Sequence, residues 1–218
     1  MGSMYGRLPR VVVVSLDAGG ETKSLREKRA DVERVTMENG NPHMRGTITV
    51  LRALFGLGEK VSPLPFCAIT NAAKCTAGDG KRDMVPGALF VNCRALALAE
   101  LEILIPQVVV TQGVQARSAL SDVYDVPTPW LDAALGSLAV AQPPVQDWLR
   151  SLSDEYLCVW SCESTIAIVL RTPHPSARMG QWQQFARTSL GPLAWLVMAL
   201  LPSASGGATQ GPEPWLRS

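Results

Sequence analysis

Thr165-Ile166-Ala167-Ile168-Val169-Leu170 runs directly into Arg171-Thr172-Pro173-His174-Pro175-Ser176-Ala177-Arg178-Met179. The first part is a β-branched apolar run, the composition of a buried strand. The second carries two prolines. Each fixes its own φ and biases the residue before it toward extended backbone, which stiffens the turn. A helical pattern begins near Met179. Strand, stiff turn and helix in that order predict an α/β unit. His174 is then held at the strand's end, facing the space where open α/β sheets place their ligands. The chain has two histidines in all, so a proline-clamped one is a candidate for chemistry.

Upstream, Arg10 to Leu16 is a near-continuous apolar run built on four valines, as a parallel strand buried on both faces reads. It ends in Asp17-Ala18-Gly19-Gly20. Phe66 to Thr70 predicts a second strand ending at Asn71, Gln107 to Thr111 a third, and Tyr156 to Trp160 another before Thr165 to Leu170. Between them, Gly46 to Leu57 and Val91 to Leu104 carry apolar residues at helical spacing, and Pro106 stops the second. A helical piece over Ser24 to Met37 competes with a loop. Gly113 opens a further helix. Val126 to Pro144 reads as a proline- and alanine-rich connection. Met179 to Leu201 is helical with a break near Gly191-Pro192. Strands alternating with helices predict a three-layer α/β/α sandwich around a central, mostly parallel sheet of four to five strands. One domain over residues 1–202 and a disordered Ser/Gly/Pro tail over 203–218 complete the expectation.

A chain of 218 residues with 47% hydrophobic content suits one sizeable core. The net charge of +1 announces no strong field toward nucleic acid. Yet 13 of the 20 Lys and Arg fall in the first 82 positions, either a solvated face or a binding face. The five cysteines, Cys67, Cys75, Cys93, Cys158 and Cys162, are odd in number and no secretory leader precedes them. Free thiols or a metal site in a cytoplasmic protein are expected rather than a disulfide framework. The most apolar run, Pro192 to Leu201, has ten residues, too few to span a bilayer.

Asp17, Asn71, Gln112 and His174 each follow an apolar run, and in a doubly wound sheet the strand C-termini share one edge. Asp17, Asn71 and His174 are therefore expected to converge. A structural role stands beside each functional one. Asp17 would cap the next segment, Asn71 would satisfy its own turn, and His174 would be a hydrogen-bonded structural histidine.

Four segments together resemble the uracil-DNA glycosylase superfamily: Ser15-Leu16-Asp17-Ala18-Gly19-Gly20; Ile69-Thr70-Asn71-Ala72-Ala73-Lys74-Cys75; Cys93 with Leu101 to Gly113; and Thr172-Pro173-His174-Pro175-Ser176. The resemblance spans about residues 10 to 190, and its middle is most similar to the iron–sulfur branch, family four. It implies a monofunctional DNA glycosylase that flips uracil or a related damaged base out of DNA and hydrolyses its N-glycosidic bond. It implies catalytic roles for Asp17, a carboxylate facing the sugar cation, and for His174, a donor to the departing base. Asn71 would read the uracil edge. Ala18 and Gly19 would border the base, and His43, in Pro42-His43-Met44, would stack on it in place of a Phe. Ser176 and Arg178 would contact phosphate at a helix start. The implied partner is DNA with a damaged base, met by a monomer.

The sequence departs from the family in three places. The iron–sulfur branch carries a glutamate where Leu16 stands. Its 4Fe–4S cluster takes four cysteines; Cys75 and Cys93 match two of them, and no cysteine precedes Val11. Either the native N-terminus differs, the cluster is lost, or Cys158 and Cys162 substitute; loss is the expectation, with no cofactor needed for the chemistry. Gly19 stands where strict uracil enzymes carry a Tyr that excludes thymine's methyl. Within the fold the alternative is specificity for another lesion. From another class, it is a nucleic-acid-binding homologue without catalysis.

Overall fold

The computed structural model describes residues 1–16, 42–73, 87–139, 142–162, 165–176 and 180–207. In chain order the elements are β1 (Val11–Ser15), α1 (Pro42–Phe55), β2 (Cys67–Asn71), α2 (Gly87–Leu104), β3 (Val108–Gln112), α3 (Val114–Arg117), β4 (Val123–Tyr124), α4 (Thr128–Ser137), α5 (Pro143–Tyr156), β5 (Leu157–Cys162), β6 (Thr165–Thr172), α6 (Gln181–Thr188) and α7 (Leu190–Gly207). They build one six-stranded sheet in the order β2-β1-β3-β6-β5-β4. β1 pairs in parallel with β2 and with β3, and β3 in parallel with β6. β5 runs antiparallel to β6, and β4 antiparallel to β5.

The valine runs explain the centre. β1 and β3 have strands on both sides and helices on both faces, so every residue of each is buried. Alternate residues feed two apolar layers. Val11, Val13, Val108, Val110 and Ile168 pack with Val50, Leu51 and Leu54 of α1 and with Leu193, Leu196 and Leu200 of α7. Val12, Val14, Val109 and Val169 pack with Phe90, Ala97 and Leu101 of α2. This is the expected α/β/α sandwich. Among the described residues no single helix is long and apolar enough to cross a membrane. The bent pair α6–α7 reaches the required composition only jointly, and α7 sinks its leucines into the core.

Several boundaries differ from expectation. The sheet has six strands rather than four or five, because the two-residue β4 extends its edge. The connection expected over Val126 to Pro144 contains α4 and the start of α5. Both open on prolines, which read as breakers but are tolerated in a helix's first turn, where the N–H has no intrahelical partner. Tyr156 closes α5 and β5 begins at Leu157. The last helical stretch breaks at Ser189, not at Gly191-Pro192; Pro192 sits in the first turn of α7. α7 continues past Pro202 to Gly207, into the expected tail. The rest of that tail, and the piece over Ser24 to Met37, lie outside the described residues.

Chain order reverses at the centre of this sheet. From β1 the chain passes to β2 on one side and then to β3 on the other. A crevice therefore opens at the C-terminal ends of β1 and β3, the switch point at which open α/β sheets bind ligands.

Candidate functional site

The registers line up four strand ends along that edge. Ser15 pairs with Asn71, Val14 with Thr111, and Gln112 with Thr172, so Asn71, Ser15, Gln112 and Thr172 form a row across β2, β1, β3 and β6. Three strand spacings, about 14 Å, separate its ends. His174 follows two residues after β6. Asn71 and His174 thus share one edge as the sequence predicts, with Asn71 at the far end of the row.

α1 covers the middle of the row. His43 lies in its first turn and Thr47 one turn later, on the same face. Gln112 is fully buried, and its amide ties these parts together. Its Oε1 accepts from Ser15 Oγ at 3.0 Å and lies 2.7 Å from His43 Nε2. Its Nε2 donates to Thr47 Oγ1 at 2.9 Å, and the Thr47 hydroxyl donates to the His43 carbonyl at 3.0 Å. The proton directions follow. Because Thr47 gives its hydrogen to a carbonyl, it must accept from the amide NH₂, and this orients Gln112. Oε1 then faces His43, so His43 Nε2 carries hydrogen. Ser15 Oγ and His43 Nε2 lie 3.3 Å apart, both donating to the one oxygen. Burial pushes the His43 imidazole below its usual 6.5, and the Gln112 carbonyl pulls the other way without prevailing. His43 is a neutral ring at pH 7.

His174 is set by its own turn. The Ser176 backbone N–H donates to His174 Nδ1 at 3.2 Å. Nδ1 is an acceptor, so in the neutral ring Nε2 carries the hydrogen and is the donor. The His43 and His174 rings stack with centroids 5.1 Å apart and planes 18° apart. Two glycines permit this closeness. Gly113 has φ +90°, a backbone that suits glycine, and a Cβ there would lie 3.3 Å from His174 Cβ. Gly46 brings α1 onto the His-Pro-Ser turn, where an added Cβ would meet Pro175 and Trp182.

Two of the expected site residues are engaged by their neighbours. One face of the His43 ring is covered by the ring of His174. Ser176 lies in a turn. α6 begins at Gln181, and the Ser176 amide is engaged by His174 Nδ1. Asp17, Ala18, Gly19, Arg178 and Cys75 lie outside the described residues. Ser15 and Thr47 have no prominence in the sequence. Gln112 stood out only as a polar strand end, although a glutamine closing an otherwise buried Val-Val-Val-Thr run must find partners.

Cys67, Cys93 and Cys158 are buried, and Cys162 is half-buried with its thiol donating to Glu102 Oε1 at 2.9 Å. Burial raises the Cys158 thiol and takes that of Cys67 to about 12, which disfavours the thiolates that ligate iron. Among the described residues no group of three or more His, Cys, Asp or Glu is gathered to hold a metal ion. Cys67 and Cys158 are therefore poorly suited as iron ligands, and Cys75 lies outside the described residues.

Compared with models of protein families and with curated proteins, the sequence matches neither a family model nor a curated protein.

Proposed function

We propose that this chain is a monofunctional DNA glycosylase that accepts uracil, or a related damaged base, flipped out of DNA and hydrolyses its N-glycosidic bond. One observation carries the reading: a strand-end histidine, His174, whose geometry makes Nε2–H a donor, stands beside polar strand ends at the β1/β3 switch point. The motif order that resembles the uracil-DNA glycosylase superfamily gives that geometry its chemistry.

Breaking the bond leaves positive charge on the sugar and negative charge on the base. The Nε2–H of His174 stabilises the oxygen of the departing base. Asn71 offers both a donor and an acceptor, as a uracil edge requires. Asp17, two residues beyond Ser15, supplies a carboxylate to the sugar cation. Water adds its hydroxyl to the anomeric carbon, and its proton balances the base nitrogen. Side chains suffice for these steps, and no step runs through Cys75, Cys93 or a cluster. The enzyme acts as a monomer on DNA.

The test uses oligonucleotides bearing uracil, 5-hydroxymethyluracil or hypoxanthine, in single and double strands, followed by alkaline cleavage of abasic sites. Cleavage is expected at uracil and hydroxymethyluracil. His174→Ala should slow single turnovers by roughly 10²–10⁴-fold, and Asp17→Asn by about 10²-fold or more. Absence of abasic sites from every lesion, or wild-type rates in both variants, would refute the assignment.

A further inference from the structure

We propose that Gln112 is the positioning residue of this site: its buried amide fixes the hydrogen of His43 on Nε2 and so sets the turn of the ring stacked on His174, and as an uncharged acceptor it does this without holding that ring as an imidazolium. The network stands on its geometry alone; its catalytic meaning rests on the glycosylase reading.

Gln112 touches neither the sheet edge's solvent nor His174. It acts through His43. Its Oε1 can only accept, so the 2.7 Å contact requires a hydrogen on His43 Nε2. Thr47 and Ser15 prevent the amide from turning over, since Thr47 needs a donor and Ser15 an acceptor on the sides where they stand. The residue type matters as much as the shape. A glutamate of the same size would accept the same hydrogen, but it would hold His43 as an imidazolium. Among the described residues, Ser15 and Gln112, which are uncharged, and His174, which is titratable, meet the His43 ring, and Thr47 bonds its carbonyl. A charged His43 would place a full positive charge one ring away from His174. His174 becomes more positive as it donates to a departing base, so that charge would oppose the step. An amide supplies orientation without charge.

Because the chain has two histidines, the experiment is direct. Long-range proton–nitrogen NMR spectra of the nitrogen-15-labelled protein distinguish Nδ1–H, Nε2–H and imidazolium rings, and a His43→Phe spectrum assigns the pair. The wild-type His43 is expected as the pure Nε2–H tautomer at pH 7, remaining so below pH 6.5. In Gln112→Glu both of its nitrogens should be protonated at pH 7, and single-turnover cleavage should fall by up to about 10²-fold. In Gln112→Met, which keeps the volume and removes the acceptor, Ser15 can donate to or accept from His43, and a tautomer mixture should appear. A wild-type Nδ1–H ring, a neutral His43 in Gln112→Glu, or a pure Nε2–H tautomer in Gln112→Met overturns the proposal. If Gln112→Glu does not fold, the methionine variant decides. The spectra need no substrate, so an intact tautomer pattern in a protein that cleaves no lesion would sink the glycosylase reading and leave the role of Gln112 standing.

Discussion

Alanine at Gly46 sets two effects of known size against each other. Gly46 is buried inside α1, between His43 and Thr47. In a helix interior, glycine to alanine gains about 1 kcal/mol from backbone entropy alone. Here the new Cβ would lie 2.7 Å from Pro175 Cγ, closer still to Pro175 Cβ, and 3.1 Å from Trp182 Cζ2, where ordinary contact begins at 3.4 Å. The proline ring cannot swing aside as a flexible chain would, because its φ is fixed and its neighbours form the His174 turn. Overpacking of this kind costs roughly 1–3 kcal/mol. Strain wins, and the variant should be less stable by up to about 2 kcal/mol, read as a lower urea midpoint at unchanged m-value. Relief requires α1 and the His-Pro-Ser turn to part by a few tenths of an ångström or more, which separates His43 from His174. Misplacement on the order of 1 Å costs about 10²-fold in rate, so cleavage should suffer more than stability. A variant about 1 kcal/mol more stable than wild type, cleaving at the wild-type rate, would show that α1 does not clamp this turn.

Three further outcomes are expected. Gly113→Ala forces φ +90° on a residue with a Cβ and crowds His174, so it should destabilise by about 1–3 kcal/mol in thermal unfolding and shift the His174 ring resonances; an unchanged melting point would remove the strain argument. His43 contributes stability above pH 6.5 that is lost as pH falls through its lower folded value, because below 6.5 the unfolded chain takes up a proton that the folded ring refuses. Unfolding free energy should therefore fall with pH in that window by up to about 1.4 kcal/mol per unit, and His43→Phe should flatten this slope; equal slopes in both proteins would show that the ring is not protected. Gly19→Tyr should raise the ratio of uracil to hydroxymethyluracil cleavage, since a wall against one substituent is worth roughly 1–3 kcal/mol, and an unchanged ratio would place Gly19 away from the base.

The centre of the fold was legible because its physics is local. Val11 to Val14 and Val108 to Val110 have no polar alternation, and only a strand covered on both faces tolerates that. The proline-clamped strand end carrying His174 was legible for the same reason. The edge of the sheet was not. β4 is two residues long and exists only by pairing with β5, so it leaves no period to read. α4 and α5 begin on prolines that also mark connections. In the site, Asn71 and His174 were readable from their strands, whereas the role of Gln112 was not. Its partners Ser15 and His43 lie 97 and 69 positions away, and only the β1/β3 pairing and the docking of α1 bring them together.

Several departures from ordinary folding rules lie around that same spot. The fold would be simpler with an apolar residue at 112, since a buried amide must find partners or cost about 1–3 kcal/mol for each group left unpaired. Next to it, Thr111 Oγ1 is buried without a hydrogen-bond partner among the described residues, Gly113 adopts φ +90°, and Gly46 lets α1 press onto Pro175. Elsewhere among the described residues, Ile105, Asp122 and Ala139 adopt positive φ at exposed positions, and Arg117 Nε and Arg171 Nε are buried without a hydrogen-bond partner. Apolar packing of the valine strands does not require any of the four central features. Gln112 and the Ser176 amide set proton positions on the two imidazoles, and the two glycines let those rings stack 5.1 Å apart at the edge where the sheet opens. Local rules broken together at the switch-point edge, and kept in the valine core beneath it, are what the proposed glycosylase site would leave in a fold.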